Sequence, residues 1–443
     1  MKRWQDFFKG KRITVMGLGL LGRGVGDVLF LAKCAKEIVV TDLKTRKQLK
    51  ESLEKLKKYK NIKYTLGRHD LKDFEKRDFI LKAAGVPLKS AYITHARAQG
   101  IPVFMSTALF AKFSPAKIVG ITGTRGKTTV TYMIYESLIT IYRNRKKNVF
   151  VGGNIKGMST LALLPKTKRG DIAVLELDSW QLQGFGDLKI APSIAVFTTF
   201  MPDHLDYYGM KLKKYAKDKA KIFLHQKTGE NLVISLQAKN ALKDFVKIPS
   251  RALIIGTNKK FSLSVPGEHN QLNASLSCVA LKKLGLKNPQ IEKSLQNFKG
   301  VPGRLEYLRT VRGVKVYNDT TATTPHAAAA AILALGRGRN LSLIMGGHDK
   351  KISLKILKNP VKKYCVWVSL LDSSGTKRLL SEKIVSGVPH KVFSNFSLAV
   401  REALKKTPKS GILLLSPSFA SFGMFKNEYD RGERFNNFIK KLK

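Results

Sequence analysis

Between residues 117 and 138 the chain passes from a short apolar stretch into a glycine-rich turn and on into a helical pattern, a succession that leaves few folds open. Lys117-Ile-Val-Gly-Ile-Thr122 reads as a buried strand, and Thr128 to Leu138 reads as a helix. The turn between them is Gly120-Ile-Thr-Gly-Thr-Arg-Gly-Lys127-Thr128-Thr129. Glycines allow backbone N–H groups to converge on phosphate oxygens, a lysine reaches the terminal phosphates, and a threonine hydroxyl ligates magnesium. Ile121 stands where the generic motif has its first glycine, which sits one residue earlier at Gly120. A ligand-free strand-to-helix turn is the bland alternative. The full motif, with Gly123, Thr124, Arg125, Gly126, Lys127, Thr128 and Thr129 ahead of a helix, points to ATP instead.

A second glycine turn opens the chain. Arg12–Met16 reads as a strand, Gly17-Leu-Gly19-Leu-Leu-Gly22 follows, a helix runs through Leu31, and Glu37–Asp42 is the next strand, ending on an acid. This is a dinucleotide-type fingerprint, and by itself it would suggest NAD. Its physical content is narrower: a diphosphate at the helix start and a hydroxylated ring near Asp42. Strands are also expected at Val314–Asn318, Ser342–Met345, Cys365–Ser369 and Ile412–Leu415, with a helix over Ala327–Leu335. The expected class is α/β in three domains. A Rossmann-like domain spans 1–106, a central P-loop ATPase-type domain 107–300, and a second Rossmann-like domain 301–443.

A formal charge of +50 over 443 residues raises the question of nucleic acid. The lysines are spread along the chain in ones, twos and threes, as solvated faces are, and no zinc finger, basic zipper or RNA-binding aromatic signature accompanies them. Specific nucleic-acid binding is therefore not expected. Cys34, Cys278 and Cys365 match no metal spacing and suggest a reducing cytoplasm. No apolar run approaches the roughly 20 residues that span a bilayer, so no integral membrane segment is expected.

Further chemistry lies downstream of the P-loop. Val174-Leu-Glu176-Leu-Asp-Ser-Trp-Gln-Leu182 is a strand that delivers Glu176 and then Asp178 at its end, where a magnesium held by Thr128 could be met. Met201-Pro-Asp203-His204-Leu-Asp206 is an acid and histidine cluster suited to metal or phosphate, although taken alone such a histidine is more often a structural one satisfied in a hydrogen-bond network. These strings, with Gly152-Gly-Asn154-Ile155, Gly267-Glu-His-Asn270-Gln-Leu-Asn273, Gly303-Arg304-Leu-Glu306, Asn318-Asp319 and Ser416-Pro-Ser-Phe-Ala-Ser421-Phe422, stand in the order found in Mur ligases. The chain resembles that family over nearly its whole length, and most of all its D-glutamate-adding branch.

The resemblance implies ATP-dependent amide formation by way of an acyl phosphate, in peptidoglycan precursor synthesis. It implies UDP-N-acetylmuramoyl-L-alanine and D-glutamate as substrates and two magnesium ions as cofactors. Lys127, Glu176, His204 and Lys219 would be catalytic, with Lys219 carried as a carbamate. Thr128, Glu176, His204 and Lys219 would surround the metals. Asn270, Asn273, Arg304 and Asp319 would serve the nucleotide beside the P-loop. Gly19, Leu20, Leu21, Asp42, Leu43, Lys44, Asn154 and His204 would hold the UDP substrate, and Thr323, Lys350, Ser421 and Phe422 the amino acid. A cytoplasmic monomer is expected.

Four stretches depart from the family pattern. Gly303 stands in place of a histidine, Ala83-Ala84-Gly85 in place of Ser-Pro-Gly, and Asp319-Thr320-Thr321 in place of Asp-Ser-Lys. Glu428 stands where an aromatic residue is common and is expected to point away from the amino-acid pocket or to pair with Arg431. Another amino-acid ligase on the same scaffold, an NAD-dependent dehydrogenase and a nucleic-acid-binding ATPase are the competing readings. The dehydrogenase leaves the P-loop without a purpose.

Overall fold

The computed structural model describes residues 3–20, 22–143, 147–256, 260–421 and 423–442. Among the described residues the strands form three sheets, one in each of the three segments expected to be α/β. In the first, β1 (Arg12–Met16), β2 (Glu37–Asp42), β3 (Ile62–Leu66), β4 (Phe79–Lys82) and β5 (Val103–Phe104) lie in the order β3-β2-β1-β4-β5. In the second, β6 (Lys117–Thr122), β7 (Val149–Gly153), β8 (Ile172–Glu176), β9 (Ile194–Phe197), β10 (Asn231–Ser235) and β11 (Leu253–Ile255) lie in the order β11-β10-β9-β6-β8-β7. Both sheets are parallel throughout.

The third sheet holds β12 (Glu306–Val311), β13 (Val314–Asn318), β14 (Leu341–Met345), β15 (Cys365–Leu371), β16 (His390–Phe393) and β17 (Ile412–Leu415). Its order is β12-β13-β17-β14-β15-β16, and only the β12–β13 hairpin is antiparallel. Strands covered by helices on both faces need apolar side chains on both, which is why β8, β9, β14 and β17 are continuous buried runs. The edge strands are more exposed, β16, reading His-Lys-Val-Phe, among them.

The chain divides into two compact units, one of residues 1–260 with 272–295 and the other of 261–271 with 296–443. The helix Glu268–Lys283 thus belongs to the second unit by its first turn and to the first thereafter. Within the first unit the first two sheets share one apolar core, from Phe8, Val28 and Leu81 through Leu109 and Phe110 to Leu175, Leu182 and Phe197. The helix Ser106–Phe113 joins them: a Cβ at Gly184 on the helix Ser179–Asp187 would lie 3.0 Å from Cβ of Met105 and 3.1 Å from that of Ala108. In the second unit, alternate residues of the sheet feed two cores. Leu343, Met345 and Leu414 face one side, and Ile344, Leu413 and Leu415 the other.

Candidate active site

In an open parallel sheet, ligands bind beyond the carboxyl ends of strands, where neighbouring connections leave in opposite directions. In the second sheet that place is the end of β6, which lies between β8 and β9. The loop Gly123–Gly126 leaves β6 there, and the helix Lys127–Tyr142 begins with Gly126 as its N-cap in a left-handed conformation (φ 86°). Glycine is required at both ends of this loop. A Cβ on Gly123 would fall 2.0 Å from Oγ1 of Thr198, and one on Gly126 2.5 Å from Oδ1 of Asn273.

Loop shape is set from β9. The Thr124 N–H donates to the carbonyl of Thr199 (2.7 Å), and the Arg125 N–H donates to the Thr199 hydroxyl (2.9 Å). Lys127 opens the helix and folds back so that its ammonium donates to the Thr124 carbonyl (3.2 Å). Thr128 and Thr129 follow in the first helical turn. The P-loop residues are therefore together, and Asn273 lies against them.

Glu176 ends β8 beside this loop. It is 3 % exposed, one carboxylate oxygen accepts from the Asn154 amide (3.4 Å), and the other has no hydrogen-bond partner. A buried carboxylate oxygen left without a donor is suited to a cation. Asn154 in turn accepts from the Arg23 guanidinium at 2.7 Å, so one amide links the first turn of the helix Arg23–Leu31 to Glu176. Arg23 was not among the residues expected from sequence. Its one signal is its place directly after Gly22.

Lys219, on the helix Leu212–Leu224, is 2 % exposed, and its amine donates to the Gly123 carbonyl at 2.7 Å. Burial, reinforced by the charge of Lys127, pulls its pKa well below that of an ordinary lysine, with Asp178, Asp203 and Glu176 opposing the shift. His204 has left-handed backbone (φ 53°) and its ring lies 4.9 Å from that of Trp180. Asp203 stands 3.8 Å from both His204 Nε2 and an Arg125 nitrogen, tying the acid and histidine cluster to the P-loop. Among the described residues no group of three or more His, Cys, Asp or Glu side chains is placed to hold a metal alone. A cation bound here would need oxygen ligands beyond the Glu176 carboxylate.

The first sheet has its own cleft of about 230 Å³ at its strand ends, lined by Gly17, Gly19, Asp42, Leu43, Lys44, His69, Ala83, Gly85 and Val86. Asp42 works on the chain itself: its two oxygens accept from the N–H groups of Gly19 and Lys44, both at 2.9 Å. It therefore shapes the glycine turn from below. Leu20 is exposed, and Leu21 lies outside the described residues. His69, which sequence reasoning missed, is held by Thr41 at 2.6 Å.

In the second unit, Asp319 is buried with one oxygen accepting from the Leu305 N–H (3.1 Å) and the other from the Ser416 hydroxyl (2.8 Å). Burial raises its pKa to about 7, against those hydrogen bonds and the charges of Arg304 and Arg431. Asn270 donates to the Pro266 carbonyl at 2.6 Å. Lys350 and Thr323 come together, the ammonium donating to the hydroxyl at 3.4 Å. Ser421 lines a cleft of about 470 Å³ with Gly346, Gly347, His348, Ser373 and Ser374, and Phe422 lies outside the described residues.

Two departures from the family pattern touch each other. Gly303 is left-handed (φ 72°), and its carbonyl accepts from both the N–H (3.1 Å) and the hydroxyl (2.9 Å) of Thr321. Arg431 is fully buried on the carbonyls of Thr320 and Phe419, while Glu428 favours its charge from a distance and accepts from Thr320 through its own carbonyl.

Family models match the chain in three places: the Mur ligase MurD-like N-terminal domain over 11–105, the Mur ligase middle domain over 121–260, and the Mur ligase glutamate ligase domain over 303–419. The chain belongs to the Mur ligase family, and so to the ATP-dependent amide ligases. Curated relatives named UDP-N-acetylmuramoylalanine–D-glutamate ligase include one from Roseiflexus sp., 32% identical over 97% of this chain and 98% of its own. Another, from Borreliella afzelii, is 31% identical over 99% of each. The crystal structure of UDP-N-acetylmuramate–alanine ligase from Thermotoga maritima shares the fold, with a TM-score of 0.64 at 17% identity over 97% of this chain and 99% of that one. No described helix is long and apolar enough to cross a membrane.

Proposed function

We propose that this chain joins D-glutamate to UDP-N-acetylmuramoyl-L-alanine with ATP, as a cytoplasmic monomer. The observation that carries the reading is full-length similarity at about 30% identity to relatives of that name, including one 32% identical and one 31% identical. The site supports it. A carboxylate is a poor electrophile, so the substrate carboxylate first takes the γ-phosphoryl group, releasing ADP; the amine of glutamate then attacks the acyl carbon and phosphate leaves. Positioning and neutralised charge supply most of such catalysis.

In this reading the N–H groups of Gly123–Thr129 and the Lys127 ammonium hold the phosphates, and Thr128 and Glu176 would hold magnesium, which would supply charge neutralisation at the phosphates. Asn270, Asn273, Arg304 and Asp319 serve the nucleotide. Asn154 and His204 meet the muramoyl substrate, and His204 would be the side chain nearest a second metal. The first-domain cleft, lined by Gly19, Asp42, Leu43 and Lys44, takes the uridine diphosphate, with Leu20 and Leu21 beside it in sequence. Thr323, Lys350, Ser421 and the Phe422 backbone take the two glutamate carboxylates.

Lys219 is the residue whose chemistry most needs explaining. An ammonium there would oppose a divalent cation, but burial favours the neutral amine, which can bond to the carbon of CO₂ and lose a proton. The carbamate so formed is an anionic ligand. The test of the whole reading is a panel of amino acids with UDP-N-acetylmuramoyl-L-alanine, following phosphate release. D-Glutamate should give the highest kcat/KM. Preference for a neutral amino acid would overturn the D-glutamate assignment and leave the ligase class intact.

A further inference from the structure

Lys82 ends β4 as the one charged residue of the buried run Phe-Ile-Leu-Lys and is 2 % exposed. Its ammonium turns onto the loop that follows, donating to the carbonyls of Val86 (2.8 Å), Ala83 (3.2 Å) and Ala84 (3.4 Å). That loop is a β-turn closed by the Val86 N–H on the Ala83 carbonyl at 3.1 Å, with Ala84 in its second position. Proline suits that position because its ring presets φ. Alanine leaves φ free, and here the family's Ser-Pro-Gly has become Ala83-Ala84-Gly85.

The turn is one wall of the first-domain cleft, which Ala83, Gly85 and Val86 line. It presses directly on the glycine loop: a Cβ on Gly17 would lie 2.9 Å from that of Ala83 and 3.7 Å from Val86. We propose that Lys82 is a positioning residue for the nucleotide end of the substrate, its buried ammonium pinning the 83–86 turn where a proline would otherwise stiffen it. The inference rests on the reading that this cleft takes the uridine diphosphate. Burial draws the Lys82 amine down to about 8, with the carboxylates of Asp178, Asp187 and Asp218 opposing the shift and Arg97 adding to it. At neutral pH the amine is thus still mostly charged, and its hydrogen bonds are of the stronger, charge-assisted kind.

The test compares wild type, Lys82→Met and the double variant Lys82→Met/Ala84→Pro. UDP binding is measured calorimetrically without ATP, and KM for each substrate is measured in turnover. Lys82→Met should weaken UDP binding and raise KM for the UDP substrate by about tenfold, the scale of losing one hydrogen bond to a charged group. KM for ATP, and kcat at saturation, should stay within about twofold, since the chemistry lies elsewhere. Adding Ala84→Pro should bring UDP binding back to within about threefold of wild type, because the ring restores the preset φ. Unchanged UDP binding in Lys82→Met overturns the proposal. So does a double variant as impaired as the single, whether in binding or in failure to fold. If wild type does not bind UDP, or a Leu43→Glu variant binds it as wild type does, the assignment of the cleft fails first and the role of Lys82 falls with it.

Discussion

At the residue scale, the proposed reading asks opposite things of two amines, Lys127 and Lys219. Under the proposed function Lys127 would contribute charge where phosphate charge develops, while in the fold its ammonium caps the Thr124 carbonyl of its own loop. Lys127→Ala should therefore lower kcat by about 10²–10³-fold, the scale of removing one preorganised donor. Its melting temperature should stay within a few degrees of wild type, and near-normal turnover by the folded variant would remove the P-loop from the mechanism. Lys219 contributes only if it sheds its proton, which its burial favours. Lys219→Ala should be inactive and partly restored by acetate or formate, which replace the carbamate oxygens. Labelled CO₂ should appear on this residue in the wild-type carbon NMR spectrum. Full activity of Lys219→Ala without rescue would exclude the carbamate. The contact between Gly303 and Thr321 belongs to the same scale. The two substitutions, far apart in the sequence, meet in one contact, Thr321 donating twice to the Gly303 carbonyl.

At the element scale, strand ends set each site and glycines let the chain turn there. One joint between elements reports on pH. Asp27, on the helix Arg23–Leu31, is buried against Ser159 of the central segment at 2.6 Å. A Cβ on Gly26 of that helix would fall 2.5 Å from Cβ of Ser159, so the two surfaces meet without room for a side chain. Burial raises the Asp27 pKa from 3.8 to about 6, against the hydrogen bonds from Ser159 and Ser106 and the charge of Arg23. The folded state thus holds this proton more tightly than the unfolded chain does. The stabilisation is complete below about pH 3.8 and is lost as pH rises through about 6. Asp27→Asn should flatten the stability profile of the first unit between those limits by on the order of 2–3 kcal/mol. Calorimetric melting from pH 4 to 8 measures it. A slope as steep in the variant as in wild type would reject the joint as its source. Asp319, raised to about 7, gives a slope of the same sign in the second unit, which Asp27→Asn leaves in place.

At the scale of the whole molecule, the proposed function gives the charge of +50 a testable consequence. Both ATP and a UDP-linked sugar peptide are polyanions, and a positive field raises their encounter rate in a way that salt screens. Raising monovalent salt from about 50 to about 500 mM, with free magnesium held constant, should lower kcat/KM for the UDP substrate severalfold and kcat much less. A flat response would leave the lysine excess without a kinetic role. Stimulation of ATP hydrolysis by nucleic acid, and not by the UDP substrate with an amino acid, would revive the ATPase reading. The division into two compact units also belongs here. The chain contributes 261–271 to the second unit before returning to the first, a crossing that no change in composition marks.

Local pattern alone determined the strand–loop–helix of the P-loop, the glycine turn of the first sheet and the strands β13 and β17, because backbone conformation there follows from glycine freedom and from apolar runs of strand length. Motif order likewise announced the family before any geometry. What only the tertiary structure decided was where charges ended up once water was removed. The sequence marks Asp42 only as an acid at the end of a strand; the fold adds that its oxygens accept from the Gly19 and Lys44 amides, so it also shapes the turn that lines the cleft. Lys82 reads in sequence as one lysine among many, and nothing local distinguishes it from its solvated neighbours. Folding buries it, removes its water and leaves three turn carbonyls as its partners, since a buried ammonium must find acceptors somewhere.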